Sequence, residues 1–375
     1  MHYRRFGKTN LWLSVFSLGT MRCCNSESEL LATLQQAISL GINHLETASG
    51  YGKSEQYLGA ALPQLPMERE EIFLTTKLPP TPDAHQMNEW LNESISRLQV
   101  DYLDCLAIHG INTWQHLAWI QQPNGCMSTL KQAQREGKVR HLGFSTHGSL
   151  ELIIATVETG LFEFVNLHYY YFFQRHAPAV ALASQEDLGI FIISPADKGG
   201  RLYNPPEKVK TLCQPFSPLE LNYRFLLSDC RITTLSIGAA NPSQLIQPLK
   251  VADDDYPLTS EELEVLSRLD SQLSHSLGSN LCRQCYQCLP CPENINIPEI
   301  LRLRNLAVGL DMTEYGQYRY RMLEKAGHWF PGNKGNKCTT CGHCLPRCPQ
   351  KLDIPPLLFD THQRLNGASR RRLWE

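Results

Sequence analysis

Eight short runs rich in branched and aromatic residues recur between residues 15 and 238, and helical periodicity fills the gaps between them. The runs are VFSLGTM (15–21), INHLETA (42–48), IFLTTKL (72–78), YLDCLAIH (102–109), VRHLGFST (139–146), FVNLHYY (164–170), GIFIISP (189–195) and ITTLSIG (232–238). Between them, SELLATLQQAISLG, MNEWLNESISRLQ and SLELIIATVETG place apolar residues at helical spacing. Ser26 followed by Glu29 is a capping-box signature for the first helix. Eight strand–helix units over roughly 240 residues match the size of a closed barrel. A doubly wound sheet would carry G-x-G-x-x-G after its first strand, and none follows here. The expected fold class is α/β, a (β/α)8 TIM barrel with a small, mainly helical second domain after it.

That second domain rests on cysteines. The chain has 14 of them, and eight form two runs. Cys282, Cys285, Cys288 and Cys291 precede Pro292; Cys338, Cys341, Cys344 and Cys348 precede Pro349. The second run is the C-x2-C-x2-C-x3-C-P pattern of two-cluster ferredoxins, whose fourth cysteine reaches the other cluster. Two [4Fe-4S] clusters are expected, one on Cys282, Cys285, Cys288 and Cys348, the other on Cys338, Cys341, Cys344 and Cys291. The last step of the first run is one residue shorter than that pattern. Zinc is the rival, but it usually takes two C-x2-C pairs. IPEILRLRNLAVGL predicts a helix between the runs, and no fine-grained repeat is evident. The expected division is 1–272 for the barrel and 273–375 for the ferredoxin-like domain. Cys23, Cys24, Cys105, Cys126, Cys213 and Cys230 read as ordinary buried or surface residues.

Composition narrows the partners. Lys and Arg total 35 against 37 Asp and Glu, a net charge of −2, which predicts neither nucleic acid nor a charged membrane surface as partner. The basic Arg370–Arg372 stretch reads as a solvated tail. The opening MHYRRFGKTNLWLS lacks the apolar core of a signal peptide. No apolar stretch approaches the ~18 residues of a membrane span. The expected location is cytoplasmic, where thiols stay reduced.

Chemistry in such barrels sits where the strands end. The second run ends near Glu46, with Tyr51 in the loop after it; the third ends near Lys77 and the fourth at His109. These groups suit carbonyl reduction. Tyr51 would protonate the oxygen, its ordinary pKa of about 10 eased by the Lys77 cation. Glu46 would hold Lys77, and His109 would orient the carbonyl.

Four segments carry a family resemblance: YRRFGKTNLWLSVFSLGT, GINHLETASGYGKSEQYLGAAL, IFLTTK and YLDCLAIH. They resemble the aldo/keto reductase family, and with the cysteine runs the whole chain resembles members fused to a 4Fe-4S ferredoxin-like domain. The resemblance implies Tyr51 as proton donor, Lys77 and Glu46 as its tuning pair, and His109 as orienter. It implies NADP(H) as cofactor, with NAD(H) left open. Ser145, Thr146 and Asn166 would meet the nicotinamide, and Lys198, Gly199, Gly200 and Arg201 the pyrophosphate. Gly238 opens the loop where the family reads the 2′-phosphate, but no residue from 239 to 241 is basic. Glu46 stands where the family usually has aspartate, Thr146 where asparagine is common, Leu167 for glutamine and Ile193 for an aromatic.

The expected activity is NAD(P)H-dependent reduction of a small aldehyde or ketone, with clusters for electron transfer or structure. The alternative is an iron–sulfur carrier or redox sensor whose barrel binds nucleotide and turns over little. A small carbonyl substrate is the expected partner, and a redox-protein partner is left open. Trp114 and Trp119, in the loop after His109, are expected to line the pocket. His147, His168 and His176 read as surface or hydrogen-bonded residues.

Overall fold

The computed structural model describes residues 1–254 and 256–369, so the Arg370–Arg372 stretch lies outside the described residues. By internal contact the chain forms two compact units, 1–199 with 222–257, and 200–221 with 258 onward. No helix among the described residues is long and apolar enough to cross a membrane.

The first unit is a closed parallel barrel. A short antiparallel hairpin, β1 (Tyr3–Arg5) and β2 (Trp12–Ser14), precedes it. The barrel strands are β3 (Phe16–Gly19), β4 (His44–Glu46), β5 (Phe73–Leu78), β6 (Leu103–His109), β7 (Val139–Ser145), β8 (Phe164–Leu167), β9 (Gly189–Ile192) and β10 (Thr234–Ile237). Each of the eight expected runs contains one strand, and β10 pairs with β3 to close the ring. Helices α1 (Glu27–Ser39), α2 (Ser54–Ala61), α3 (Ala84–Leu98), α4 (Trp114–Ile120), α5 (Cys126–Arg135), α6 (Leu150–Glu158) and α7 (Ala177–Gln185) connect the strands. The Ser26 side chain accepts from the Glu29 N–H, as the capping signature requires, while the Glu29 carboxylate accepts from Asn25.

The hairpin seals the end of the barrel where the strands begin. Phe6 and Leu13, both fully buried, join Cys105, Ala107, Phe164 and Phe191 in one cluster. A side chain at Gly189 would meet the Phe6 ring at 2.2 Å, so only glycine admits this plug. Burying a Phe contributes roughly 1.5–3 kcal/mol. Inside the barrel runs a polar layer. The His44 ring bonds Ser17 Oγ at 2.6 Å and Thr75 Oγ1 at 2.7 Å, and Ser17 bonds Thr234 at 2.7 Å. Burial, with the Lys77 charge nearby, pushes the His44 pKa down to about 3.

The second unit is helical apart from its loops. It holds α8 (Glu207–Cys213) and, after α9 (Pro218–Leu227), which is divided between the two units, α10 (Ser260–Leu277), α11 (Ile297–Leu310), α12 (Thr313–Tyr320) and α13 (Ile354–Leu365). Thr259 and Glu262 form a full capping box on α10. The predicted helix IPEILRLRNLAVGL is α11, buried along nearly its whole length, with Glu299 and Arg302 paired at 2.6 Å.

Here the structure corrects the expectation of no repeat. Cys291-Pro292 and Cys348-Pro349 each precede an Ile-Pro pair that opens a helix, Ile297-Pro298 in α11 and Ile354-Pro355 in α13. Positive φ angles recur at equivalent places: Gln284 and Thr340, Tyr286 and Gly342, Asn294 and Lys351. Backbone bonds recur too, Asn294 N to Cys291 O at 2.9 Å and Lys351 N to Cys348 O at 3.0 Å. The halves differ by one residue. Leu289-Pro290 leads directly to Cys291, whereas Leu345-Pro346 is followed by Arg347 before Cys348.

Candidate active site and cluster cysteines

Five neighbouring barrel strands each carry a polar residue at their last or second-to-last position: Glu46 on β4, Lys77 on β5, His109 on β6, Ser145 on β7 and Asn166 on β8. Tyr51 follows β4, on a loop fixed by Ser49 N to Lys77 O at 3.1 Å and Tyr51 N to Ala48 O at 3.0 Å. The next helix, α2, is anchored by buried Glu55, which accepts from Thr76 Oγ1 at 2.6 Å and Arg97 Nε at 2.7 Å.

Lys77 is 1% exposed. Its ammonium donates to Tyr51 Oη at 3.1 Å and Thr47 O at 3.1 Å, and forms an ion pair with Glu46. His109 meets Tyr51 edge-on, ring centroids 5.6 Å apart. The four groups expected to act together therefore meet. Burial pulls the Lys77 pKa down, but Glu46 and Tyr51 outweigh it and leave Lys77 raised and charged. The Tyr51 pKa is also raised: burial pushes it up, Lys77 pulls it down, and Glu46 adds to the rise. Lys77 thus pulls against the rise, yet burial wins. A phenol that stays protonated suits proton donation.

Glu46 does more than hold the lysine. Its Oε1 also accepts from Asn166 Nδ2 at 3.3 Å. That bond fixes the Asn166 amide, because the opposite orientation would set its oxygen against a carboxylate. Asn166 Oδ1 is left buried with no hydrogen-bond partner. Ser145 is buried, its Oγ at 3.4 Å from Ile108 O. An unpaired acceptor near a weakly engaged hydroxyl fits a carboxamide such as that of nicotinamide. Thr146 is otherwise occupied. Its Oγ1 donates to Ile111 O at 2.7 Å and accepts from Gly148 N at 2.9 Å.

The glycine turn after β9 divides similarly. A Cβ at Gly199 would lie 2.0 Å from Pro195 O, so the backbone itself demands glycine there. Lys198 N bonds Ser194 O at 3.0 Å. Gly200 has φ of +140°, and Arg201 lies 3.8 Å from Glu314 and over the Tyr318 ring at 5.3 Å. Sequence reading missed Arg22. This exposed residue after β3 donates to Gly238 O at 3.1 Å, so barrel closure brings a cation to the loop that has none of its own. The missing signal was the adjacency of the first and last barrel strands.

Trp114 is 58% exposed at the start of α4, and Trp119 stacks on His116 at 5.3 Å. His168 bonds His147 at 3.2 Å and also Tyr170, whose hydroxyl donates to Ile193 O. His176 Nδ1 bonds His168 O at 2.8 Å.

In the second unit, Cys291, Cys338, Cys341 and Cys344 line one pocket with Ile297, Pro355, Leu358 and Arg347. This is the crossed set, with Cys291 from the first run. Burial pushes the Cys282 thiol up to about 11, with Cys285 and Cys348 adding to it. Cys288 rises to about 12, through burial and then Cys282 and Cys285. Such thiols lose their protons when a metal takes the sulfur. Cys291 thus lies with three cysteines of the second run, and Cys348 bears on Cys282, the pairing a crossed arrangement would need. Arg347, the extra residue of the second half, donates to His343 O at 2.8 Å and Pro290 O at 2.9 Å, tying the two loops together.

Residues 16–271 match the model of the aldo/keto reductase family, and residues 281–352 match that of the 4Fe-4S dicluster domain. A methylglyoxal reductase of Salmonella typhimurium is 28% identical over 250 residues, covering 65% of this chain and 86% of that one. An L-galactose dehydrogenase of Arabidopsis thaliana is 30% identical over 154 residues, covering 38% and 47%. An aldo-keto reductase of Bacillus halodurans solved in its holo form shares the fold at TM-score 0.62 and 23% identity, over 72% of this chain and 96% of that one.

Proposed function

The chain belongs to the aldo/keto reductase family and carries a 4Fe-4S dicluster domain, and on that premise we propose that its barrel reduces the carbonyl of a small aldehyde or ketone with NADPH. The observation that carries this reading is the 3.1 Å bond from Lys77 Nζ to Tyr51 Oη, with Glu46 behind it. Bound NADPH supplies the hydride that attacks the carbonyl carbon. Tyr51 gives its phenolic proton to the carbonyl oxygen, and Lys77 holds the phenolate left behind. Glu46 keeps Lys77 charged, and His109 orients the oxygen. Ser145 and Asn166 Oδ1 hold the carboxamide. Lys198 and Gly199 are assigned to the phosphates, and Arg22 with Gly238 to the 2′-phosphate that distinguishes NADP from NAD. Arg201, already engaged by Glu314 and Tyr318, and Thr146, which ties its own loop, are not assigned to the cofactor.

The eight run cysteines hold two [4Fe-4S] clusters in the crossed arrangement, in a cytoplasmic protein. Functionally the chain divides at 272/273, hydride chemistry before and one-electron chemistry after. The name of the methylglyoxal reductase relative makes methylglyoxal the first substrate to try. The test is NADPH consumption with methylglyoxal and a panel of aldehydes. Wild type should turn over and Tyr51→Phe should lose at least ~100-fold in kcat; equal rates would overturn the assignment. A second reading, an iron–sulfur carrier with a weakly catalytic barrel, draws support from the preoccupied Thr146 hydroxyl. It predicts little turnover by wild type and cluster redox behaviour unchanged in Tyr51→Phe.

A further inference from the structure

The loops that carry the cysteines are basic in a chain that is not. From Lys325 to Lys351 there are five cationic side chains and no carboxylate, and from Gly278 to Pro292 the only charged residue is Arg283. Arg283, Lys337 and Lys351 are exposed and make no ion pair among the described residues. Lys337 adjoins Cys338, Arg283 adjoins Cys282, and Arg347 adjoins Cys348. Elsewhere in the same unit several carboxylates are matched: Asp360 by Arg304 and Arg364, Glu299 by Arg302, Asp311 by Lys208. The carboxylates nearest the runs are Glu293, which accepts from Thr339 Oγ1 at 3.3 Å, and Asp353. Cys285 and Cys341 are exposed, and Leu345, between Cys344 and Cys348, is 40% exposed. An exposed apolar side chain with exposed cysteines and cations close by in sequence has the composition of a protein-docking patch.

We propose that this face, centred on Leu345 with Lys337, Arg347 and Lys351 around it, docks an acidic one-electron carrier protein. It rests on the cluster assignment above. The chain's net charge is −2, so an acidic carrier is repelled at long range. Only a local excess of positive charge, acting within a Debye length of about 8 Å, can steer it in. The clusters' own negative charge is the competing reason for the cations. Charge balancing alone predicts that removing a cation shifts cluster potentials and leaves association untouched. Docking predicts that association itself weakens. The transfer moves one electron between the carrier and a [4Fe-4S] centre cycling between its 2+ and 1+ states. No bond forms or breaks, and no proton moves.

The test mixes the full-length, cluster-loaded protein with a plant-type [2Fe-2S] ferredoxin of acidic surface in a stopped-flow instrument, in whichever direction electron transfer runs downhill. Affinity is measured separately by calorimetry. Raising ionic strength from about 20 to about 300 mM should lower the second-order rate constant at least ~10-fold. The double variant Lys337→Glu/Lys351→Glu should lose about 10-fold in rate and affinity at low salt. Lys131→Glu, a single charge reversal in the barrel, should leave both unchanged. Should the double variant assemble clusters poorly, Lys351→Gln alone should slow association about threefold. Iron content and the dithionite-reduced resonance signal report the clusters independently, so a failed cluster assignment is told apart from a failed docking surface. Rate and affinity indifferent to salt and to Lys351→Gln, or equally reduced by Lys131→Glu, would overturn the proposal.

Discussion

At the barrel mouth Lys77 is 1% exposed and held by Glu46 and Tyr51, whereas at the cluster loops Lys337 and Lys351 stand exposed with no ion pair among the described residues. A buried charge must be matched on the spot, because desolvation costs several kcal/mol per ion. Its influence is then local, on a phenol 3.1 Å away, and little affected by salt. An exposed cation needs no partner and acts through solvent on whatever approaches, so salt weakens it. On the two proposals above, the same residue type serves chemistry in one unit and encounter in the other.

The contrast is open to attack from the barrel side first. Lys77→Met should lower kcat/KM by at least ~1,000-fold and destabilise the protein by about 3–5 kcal/mol, since Glu46 stays buried without its cation. Adding Glu46→Gln should recover much of the stability and none of the activity. Denaturant melts and kinetics on the single and double variants check both halves, and the losses should not depend on salt. On the cluster side, Cys291→Ser should remove the cluster shared with Cys338, Cys341 and Cys344 and spare the other. Iron should fall from about eight atoms per chain to about four. Equal loss from both clusters would refute the crossed arrangement.

The pH dependence sharpens the comparison within the barrel. His44 has its pKa lowered to about 3, against an ordinary value near 6.5. Between these values the unfolded chain binds a proton that the folded chain does not, so stability rises with pH through this window and is lost as pH falls. The slope from this one group approaches ~1.4 kcal/mol per pH unit in mid-window. Melts between about pH 4 and 6 should show it, and His44→Asn should flatten it. Tyr51 shifts the other way: its raised pKa keeps the proton donor loaded, so reductive kcat/KM should fall only at a pH above that at which an ordinary tyrosine ionises. The smallest effect expected is Ser26→Ala, about 1 kcal/mol from losing the α1 cap.

Local patterns carried most of this molecule. The eight strands were readable because each is a compact β-rich run between amphipathic helices, and Glu46, Tyr51, Lys77 and His109 because each lies at or just after a strand end. The cysteine runs were readable from spacing alone. What escaped depended on contacts distant in sequence. The β1–β2 plug consists of two three-residue strands whose worth lies in Phe6 meeting Gly189. Arg22 reaches Gly238 only once the ring closes. The glutamate at 46 looked like a simple lengthening of an ion pair, yet its Oε1 bridges Lys77 and Asn166. The repeat in the second unit was hidden by Arg347, a single residue that shifts the two halves out of register.

On the proposed function, hydride passes directly to the carbonyl inside the barrel, separate from the one-electron centres. NADPH carrying deuterium at both C4 positions, incubated anaerobically with cluster-loaded protein and a reducible aldehyde, tests this most directly. The account predicts an alcohol with one deuterium on the former carbonyl carbon and clusters that stay oxidised. An alcohol with solvent hydrogen on that carbon, formed while the reduced-cluster resonance appears, would contradict it.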